Sequence, residues 1–197
     1  MADEEPNASV PDPVGLVLTP DAIEQRVDEL AAEITRDYAG RSPILISVLK
    51  GSTFFLADLV RKVDLPLRLD FIAITSYGEG AHSGVVRILK DLTMSIEDED
   101  VILVEDIIDT GLTVTYLLAT LQARRPRSLE VCGLLDKSVR RIIEVPLKYK
   151  GFDIPDEFVI GYGLDFQGRY RNLRGIIGVR DMDALSADAE TLVAPYV

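Results

Sequence analysis

Two acids, Glu105 and Asp106, directly follow the apolar run Val101–Val104, and Asp109-Thr110-Gly111-Leu112-Thr113 comes shortly after. The string VILVEDIIDTGLT reads as a buried strand that ends, a tight turn, and a helix that begins. Such a turn aims backbone N–H groups and the positive end of a helix dipole at one spot, a ready place for a phosphate. Gly111 lets the backbone come close, and Thr110 and Thr113 offer hydroxyl donors. Open α/β sheets bind ligands at this kind of position, past the carboxyl end of a parallel strand. No Gly-Lys-Ser/Thr follows, so the string is not a Walker loop, and it lacks the three spaced glycines of a dinucleotide fingerprint. Paired acids beside a phosphate repel it unless they bind hydroxyls of the ligand or a metal. A sugar phosphate with a free diol, together with Mg2+, meets both demands. Taken singly, each acid could equally solvate a strand end or cap a helix; the ordered set is what points to a ligand.

The elements that must position these residues alternate between strands and helices. Thr19 caps a first helix, Pro20 fits its first turn, and Ile23, Val27, Leu30, Ile34 and Tyr38 keep one apolar face until Gly40. PILISVLKG reads as a buried strand ending at Lys50–Gly51, residues 53–62 as a helix, and 67–75 as a strand. The small, polar stretch SYGEGAHSG at 76–84 reads as a mobile loop, with a returning strand at 85–89. After Val101–Val104, a helix is expected over about 113–123 and a strand over 129–135. Residues 145–180 are expected to form short strands and loops at the end of the sheet. This alternation predicts an α/β fold, a parallel twisted sheet flanked by helices.

Bulk properties narrow the class. The chain has 197 residues, 47% of them hydrophobic and 27% charged, values suited to one domain with a sizeable core. No apolar run is long enough for a bilayer span, so no membrane partner is expected. The acidic start, MADEEPNASVPDP, is unlike a secretory signal, and Cys132 is the only cysteine, so a cytoplasmic location is expected. Cys132 reads as core packing. The net charge is −12, and eight of those charges sit in two ends that carry no Lys or Arg, residues 1–12 and 181–197. Both ends are expected to be solvated and partly disordered, and the body between them is only mildly acidic. That balance argues against nucleic acid as a partner.

The Val101–Thr113 string closely resembles the signature of type I phosphoribosyltransferases. The resemblance implies that Glu105 and Asp106 contact the ribose hydroxyls and that Asp109, Thr110, Gly111, Leu112 and Thr113 bind the 5′-phosphate of phosphoribosyl pyrophosphate. Three further stretches resemble the hypoxanthine-guanine members of that family, over residues 15 to 180. Leu49-Lys50-Gly51-Ser52 is similar to their pyrophosphate loop, with an implied cis peptide between Leu49 and Lys50. By itself that stretch reads as a plain strand-to-helix turn. Leu134-Leu135-Asp136-Lys137 places Lys137 past a strand end, where the resemblance implies a hydrogen bond to a purine 6-oxo group. An ammonium donates to a carbonyl and discriminates against an amino group. Asp136 beside it could instead form a surface ion pair with Lys137. FVIGYGLD, Phe158 to Asp165, is the most specific stretch. It implies that Phe158 stacks on the purine, the Val159 backbone reads its edge, Asp165 helps hold Mg2+, and Arg171 contacts pyrophosphate. For lone aromatics, a role in the core is the commoner one.

The resemblance further implies that 76–84 is a lid opening with Ser76–Tyr77, that terminal segments form a small hood, and that the protein is a homodimer or homotetramer. His82, the single histidine, reads as a solvated lid residue. The domain limits are taken as a tail at 1–14, the phosphoribosyltransferase domain at 15–180 and a second tail at 181–197. The expected reaction is Mg2+-dependent transfer of ribose phosphate from phosphoribosyl pyrophosphate to N9 of hypoxanthine or guanine. Asp109 is the candidate general base or N7 partner, and Glu105, Asp106 and Asp165 are the candidate metal ligands. Two alternatives stay open: another 6-oxopurine such as xanthine as acceptor, and a regulatory protein that keeps the sugar-phosphate site but binds nucleic acid.

Overall fold

The computed structural model describes residues 12–77 and 85–197. Its main sheet has six strands, β2 (Ile44–Leu49), β3 (Arg68–Tyr77), β4 (Val85–Lys90), β5 (Asp100–Ile108), β6 (Ser128–Asp136) and β7 (Leu147–Asp153). They lie in the order β4-β3-β2-β5-β6-β7. β2 runs parallel to both β3 and β5, β6 parallel to β5 and β7, and only β4 is antiparallel. Central strands of such a sheet are covered on both faces, which explains why ILISVL and VILV are continuous apolar runs. Successive residues still alternate between faces. Ile44, Ile46, Val101 and Leu103 join one apolar layer with Val114, Leu117 and Leu121. Leu45, Ile102 and Val104 join the other, with Ile23, Val27, Leu30 and Ile34.

Those layers are made by α1 (Pro20–Asp37) and α2 (Thr53–Val60) on one side and α3 (Leu112–Gln122) on the other. Thr19 caps α1 as expected, its side chain accepting the Ala22 N–H at 3.1 Å, a contribution of about 1 kcal/mol. Within β2, Ser47 is fully buried, and its hydroxyl meets that of Ser52 at 2.6 Å. Ser52 in turn donates to the Val48 carbonyl at 2.5 Å. The pair satisfies two buried polar groups and fastens the start of α2 to the strand that precedes it.

A second, three-stranded antiparallel sheet forms the hood from both ends of the chain: β1 (Val14–Leu18), β9 (Ile176–Val179) and β8 (Phe158–Ile160). Val14, which the sequence reading assigned to the N-terminal tail, opens β1 opposite Val179. Two other expectations change. β7 is a full edge strand of the main sheet, not a short piece at its end. Residues 181–197, expected to be a solvated tail, contain α4 (Met182–Val193), capped by the Asp181 side chain and followed by a 3-10 turn at Ala194–Tyr196. Leu185 and Val193 within it are fully buried, and burying two such side chains outweighs the acidity of the segment. Among the described residues no helix is long and apolar enough to cross a membrane.

Candidate functional site

At the end of β5 the chain turns through Asp109–Gly111 before α3 starts. Gly111 has φ +85°, the left-handed region, and a Cβ there would lie 2.3 Å from the Ile143 carbonyl oxygen. Both facts require glycine. The Thr110 carbonyl accepts N–H bonds from Ile142 at 2.9 Å and Ile143 at 3.2 Å, so the segment after β6 holds the turn from behind. The cap residue Gly111 has no side chain to offer α3, and the Leu112 N–H meets only Thr110 Oγ1, at 3.4 Å. The Thr115 N–H already bonds the Gly111 carbonyl, while amides of the first turn have no partner within the helix and are available to an anion.

This turn walls a cavity of about 360 Å³ at the carboxyl edge of the sheet, with Glu105, Asp106, Asp109, Thr110, Gly111 and Thr113 on one side and Lys50 and Gly51 on the other. The Leu49–Lys50 peptide is cis. Gly51 is wedged in place: a Cβ there would fall 1.7 Å from Asp106 Oδ2 and 3.4 Å from the Gly163 carbonyl oxygen. Gly163, at φ +101°, could carry no Cβ either, since one would lie 2.1 Å from the Gly51 oxygen. Arg171 anchors this contact by donating to the Gly163 carbonyl at 2.5 Å and pairing with Asp165 Oδ1 at 2.5 Å. Asp165 Oδ2 accepts the Gly168 N–H at 2.8 Å. Three segments distant in sequence, 50–51, 105–106 and 163–171, are thus locked together.

The two acids are strained electrostatically. Burial pushes the Glu105 carboxyl well above the usual carboxylate range, and the neighbouring charge of Asp106 adds to it. Glu105 Oε1 is buried without a hydrogen-bond partner, a costly arrangement that an incoming donor or cation relieves. Asp106 is pushed up to about 6, by burial first, while the N–H donors of Ile107 and Asp106 and the charge of Arg171 pull the other way.

Lys137 is buried, and its N–H bonds the Ile108 carbonyl at 2.9 Å, which places it beside the turn. Asp136 does not pair with it. Its partners are Arg141 and Lys150, the latter at 3.7 Å. Phe158 stands 41% exposed on the hood, its ring edge-on to Phe166 with centroids 6.3 Å apart. Val159 is buried and pairs with Gly178 in the hood sheet. Leu112, Lys137, Phe158, Val159, Asp165 and Arg171 are not among the residues that line this cavity. Glu105, Asp106 and Asp165 do not form a cage of three carboxylates, and among the described residues no group of three or more such ligands converges. Ser76 and Tyr77 end β3, and the rest of the expected lid, with His82, lies outside the described residues. Sequence reasoning missed Gly163 and Arg140. The Arg140 Nε sits 3.4 Å from Asp109 Oδ1 and 3.6 Å from Asp156 Oδ1. Nothing local marks this arginine, since its two partners come from two other segments of the chain.

The sequence model of the phosphoribosyl transferase domain matches residues 17–167, which take in both the crossover sheet and the glycine turn at its carboxyl edge. The chain is 47% identical over 173 residues to a hypoxanthine-guanine phosphoribosyltransferase of Mycobacterium avium, a match covering 84% of this chain and 85% of that protein. A crystal structure of a hypoxanthine-guanine phosphoribosyltransferase from Bacillus anthracis superposes with a TM-score of 0.80 at 42% identity, over 84% of this chain and 98% of that one. The bifunctional protein TilS/HprT of Listeria monocytogenes is 45% identical over 159 residues, 80% of this chain, which spans about a quarter (24%) of that longer protein. The chain belongs to the hypoxanthine-guanine phosphoribosyltransferases.

Proposed function

We propose that this protein transfers the 5-phosphoribosyl group from phosphoribosyl pyrophosphate to N9 of hypoxanthine or guanine, releasing pyrophosphate. The observation that carries the reading is the pairing of the buried Glu105, whose Oε1 lacks a partner, and its neighbour Asp106 with the glycine turn that opens α3, facing Lys50–Gly51 across one cavity. The turn from Asp109 to Thr113 binds the 5′-phosphate through its amides and the two threonine hydroxyls. Glu105 and Asp106 accept hydrogen bonds from the ribose diol, which supplies the donors that Glu105 Oε1 lacks. Lys50, the Gly51 amide and Arg171 take the pyrophosphate end.

On the acceptor side Phe158 offers its exposed face to the purine, the Val159 backbone bonds its edge, and Lys137 donates to the 6-oxo group. As the anomeric C–O bond to pyrophosphate breaks and the C–N9 bond forms, Asp109 takes the purine proton. The donor set of this cavity fits Mg2+, which favours one or two carboxylates plus substrate oxygens over an all-protein cage. Asp165 on one side or the Glu105–Asp106 pair on the other would hold such an ion, and when bound it would neutralise charge on the departing pyrophosphate. We further infer a cytoplasmic homodimer or homotetramer.

Incubation with phosphoribosyl pyrophosphate, Mg2+ and each purine in turn tests the reading. Nucleotide is expected with hypoxanthine or guanine and not with adenine. No product with any base, together with salt-sensitive binding of RNA or DNA, would overturn it.

A further inference from the structure

Segment 165–173 carries both Asp165 and Arg171. It turns back on itself through Phe166 and Arg169, whose N–H groups each bond the other's carbonyl at 3.2 and 3.0 Å, yet two of its residues are held in a conformation that side chains disfavour. Gln167 and Tyr170 have φ of +53° and +72°, flanking Gly168 at +79°. Each non-glycine residue in the left-handed region costs on the order of 1 kcal/mol and persists only when its surroundings enforce it. α4 supplies the surroundings. Its buried Leu185 and Val193 share one apolar cluster with Phe166 and Leu173, and Tyr170, Leu192 and Tyr196 pack against that cluster. Arg169 Nη1 lies 3.4 Å from Glu190 Oε1. The last residue, Val197, lines a shallow groove with Gly168, Tyr170 and Arg171.

α4 is also shaped for the task. Asp188 leaves the helical conformation, at φ −149° and ψ 63°, and its Oδ1 accepts the Thr191 N–H at 3.2 Å. It therefore acts as an internal cap that breaks the helix and restarts it at a new angle. In a straight helix Leu185 and Val193, eight positions apart, would point about 80° apart around one axis. The corner lets the segment wrap.

We propose that α4 and the residues after it are a strap that holds the strained segment 165–173, so that Arg171 and Asp165 stay in place for the pyrophosphate end of the substrate. The strap is a positioning element and touches no reacting atom. This inference rests on the reading of Arg171 given above.

The test compares the wild-type chain, a chain ending at Asp181, and a Leu192→Ser/Tyr196→Ser variant. The last keeps Leu185 and so remains informative if truncation unfolds the hood. Each is also made with Arg171→Ala, and thermal unfolding accompanies steady-state kinetics. A folded strap variant is expected to raise KM for phosphoribosyl pyrophosphate about tenfold, while KM for hypoxanthine changes less than about threefold. With Arg171 already replaced, the strap change should add less than about twofold, because both act on one contact. An unchanged KM in the folded variants, or a full effect that persists without Arg171, overturns the strap. A wild-type KM in the Arg171→Ala chain alone would instead overturn the assignment of Arg171, and the strap with it.

Discussion

At the scale of single residues, the cavity depends on groups that are too small or too buried to be replaced. Gly51 has no room for a methyl group, because its would-be Cβ falls 1.7 Å from Asp106 Oδ2. Gly51→Ala must push Asp106 or the Gly163 segment aside, an overpacking cost of roughly 1–3 kcal/mol. Kinetics of that variant should show KM for phosphoribosyl pyrophosphate raised about tenfold or more with a circular dichroism spectrum unchanged, and wild-type kinetics would refute the packing argument. Asp109 is a different case. Its side chain is 41% exposed and its ion pair is with the half-exposed Arg140, so removing it costs the fold little. Asp109→Ala is expected to lower kcat by about 10²–10⁴, the usual contribution of a general base, while the melting temperature holds. The acids and the glycine turn were legible in the sequence, because a strand end, a turn and a helix start make one local string. Gly163 was not singled out, since its constraint comes from Gly51, more than a hundred positions away.

Among the elements, Asp70 fastens the chain leaving β4 back onto β3. It is buried and accepts N–H bonds from Phe71 at 2.8 Å, Thr93 at 2.7 Å and Met94 at 3.1 Å, with the Thr93 hydroxyl and Lys90 close by. Burial pushes its carboxyl up, but these donors outweigh that and hold it below the usual carboxylate range. A carboxyl lowered on folding contributes stability above its unfolded pKa and loses it as pH falls through the folded value. Asp70→Asn should therefore cost about 1–3 kcal/mol at pH 7. The gap to wild type should narrow in urea melts as the pH drops below about 4. A gap independent of pH would mean that the carboxylate charge is not what holds the clasp. Strands β2 and β5 were readable because a doubly covered strand is an unbroken apolar run. α4 was not, because four acids without a base look like a solvated tail, and what decides the matter is the spacing of Leu185 and Val193 against a hood built from distant segments.

For the molecule as a whole, the proposed substrate spans two structural units. The glycine turn and the two acids stand on the main sheet, while Asp165 and Arg171 belong to the segment between β8 and β9 of the hood. Pairing of β1 with β9 joins residues some 165 positions apart in sequence, a contact that no local pattern foretells. A ligand held by both units cross-links them in the folded state and not in the unfolded chain. With phosphoribosyl pyrophosphate and Mg2+ at about a hundred times Kd, the gain is about 2.7 kcal/mol. For a chain of this size that raises Tm by roughly 5–10 °C. Scanning calorimetry should show one transition moving up as a unit, since bridging makes the hood and sheet melt together. Gly51→Ala, which disturbs the contact between the units, should lose most of the shift. A second, unshifted transition from the hood, or a full shift in Gly51→Ala, would mean that the substrate is held by the main sheet alone.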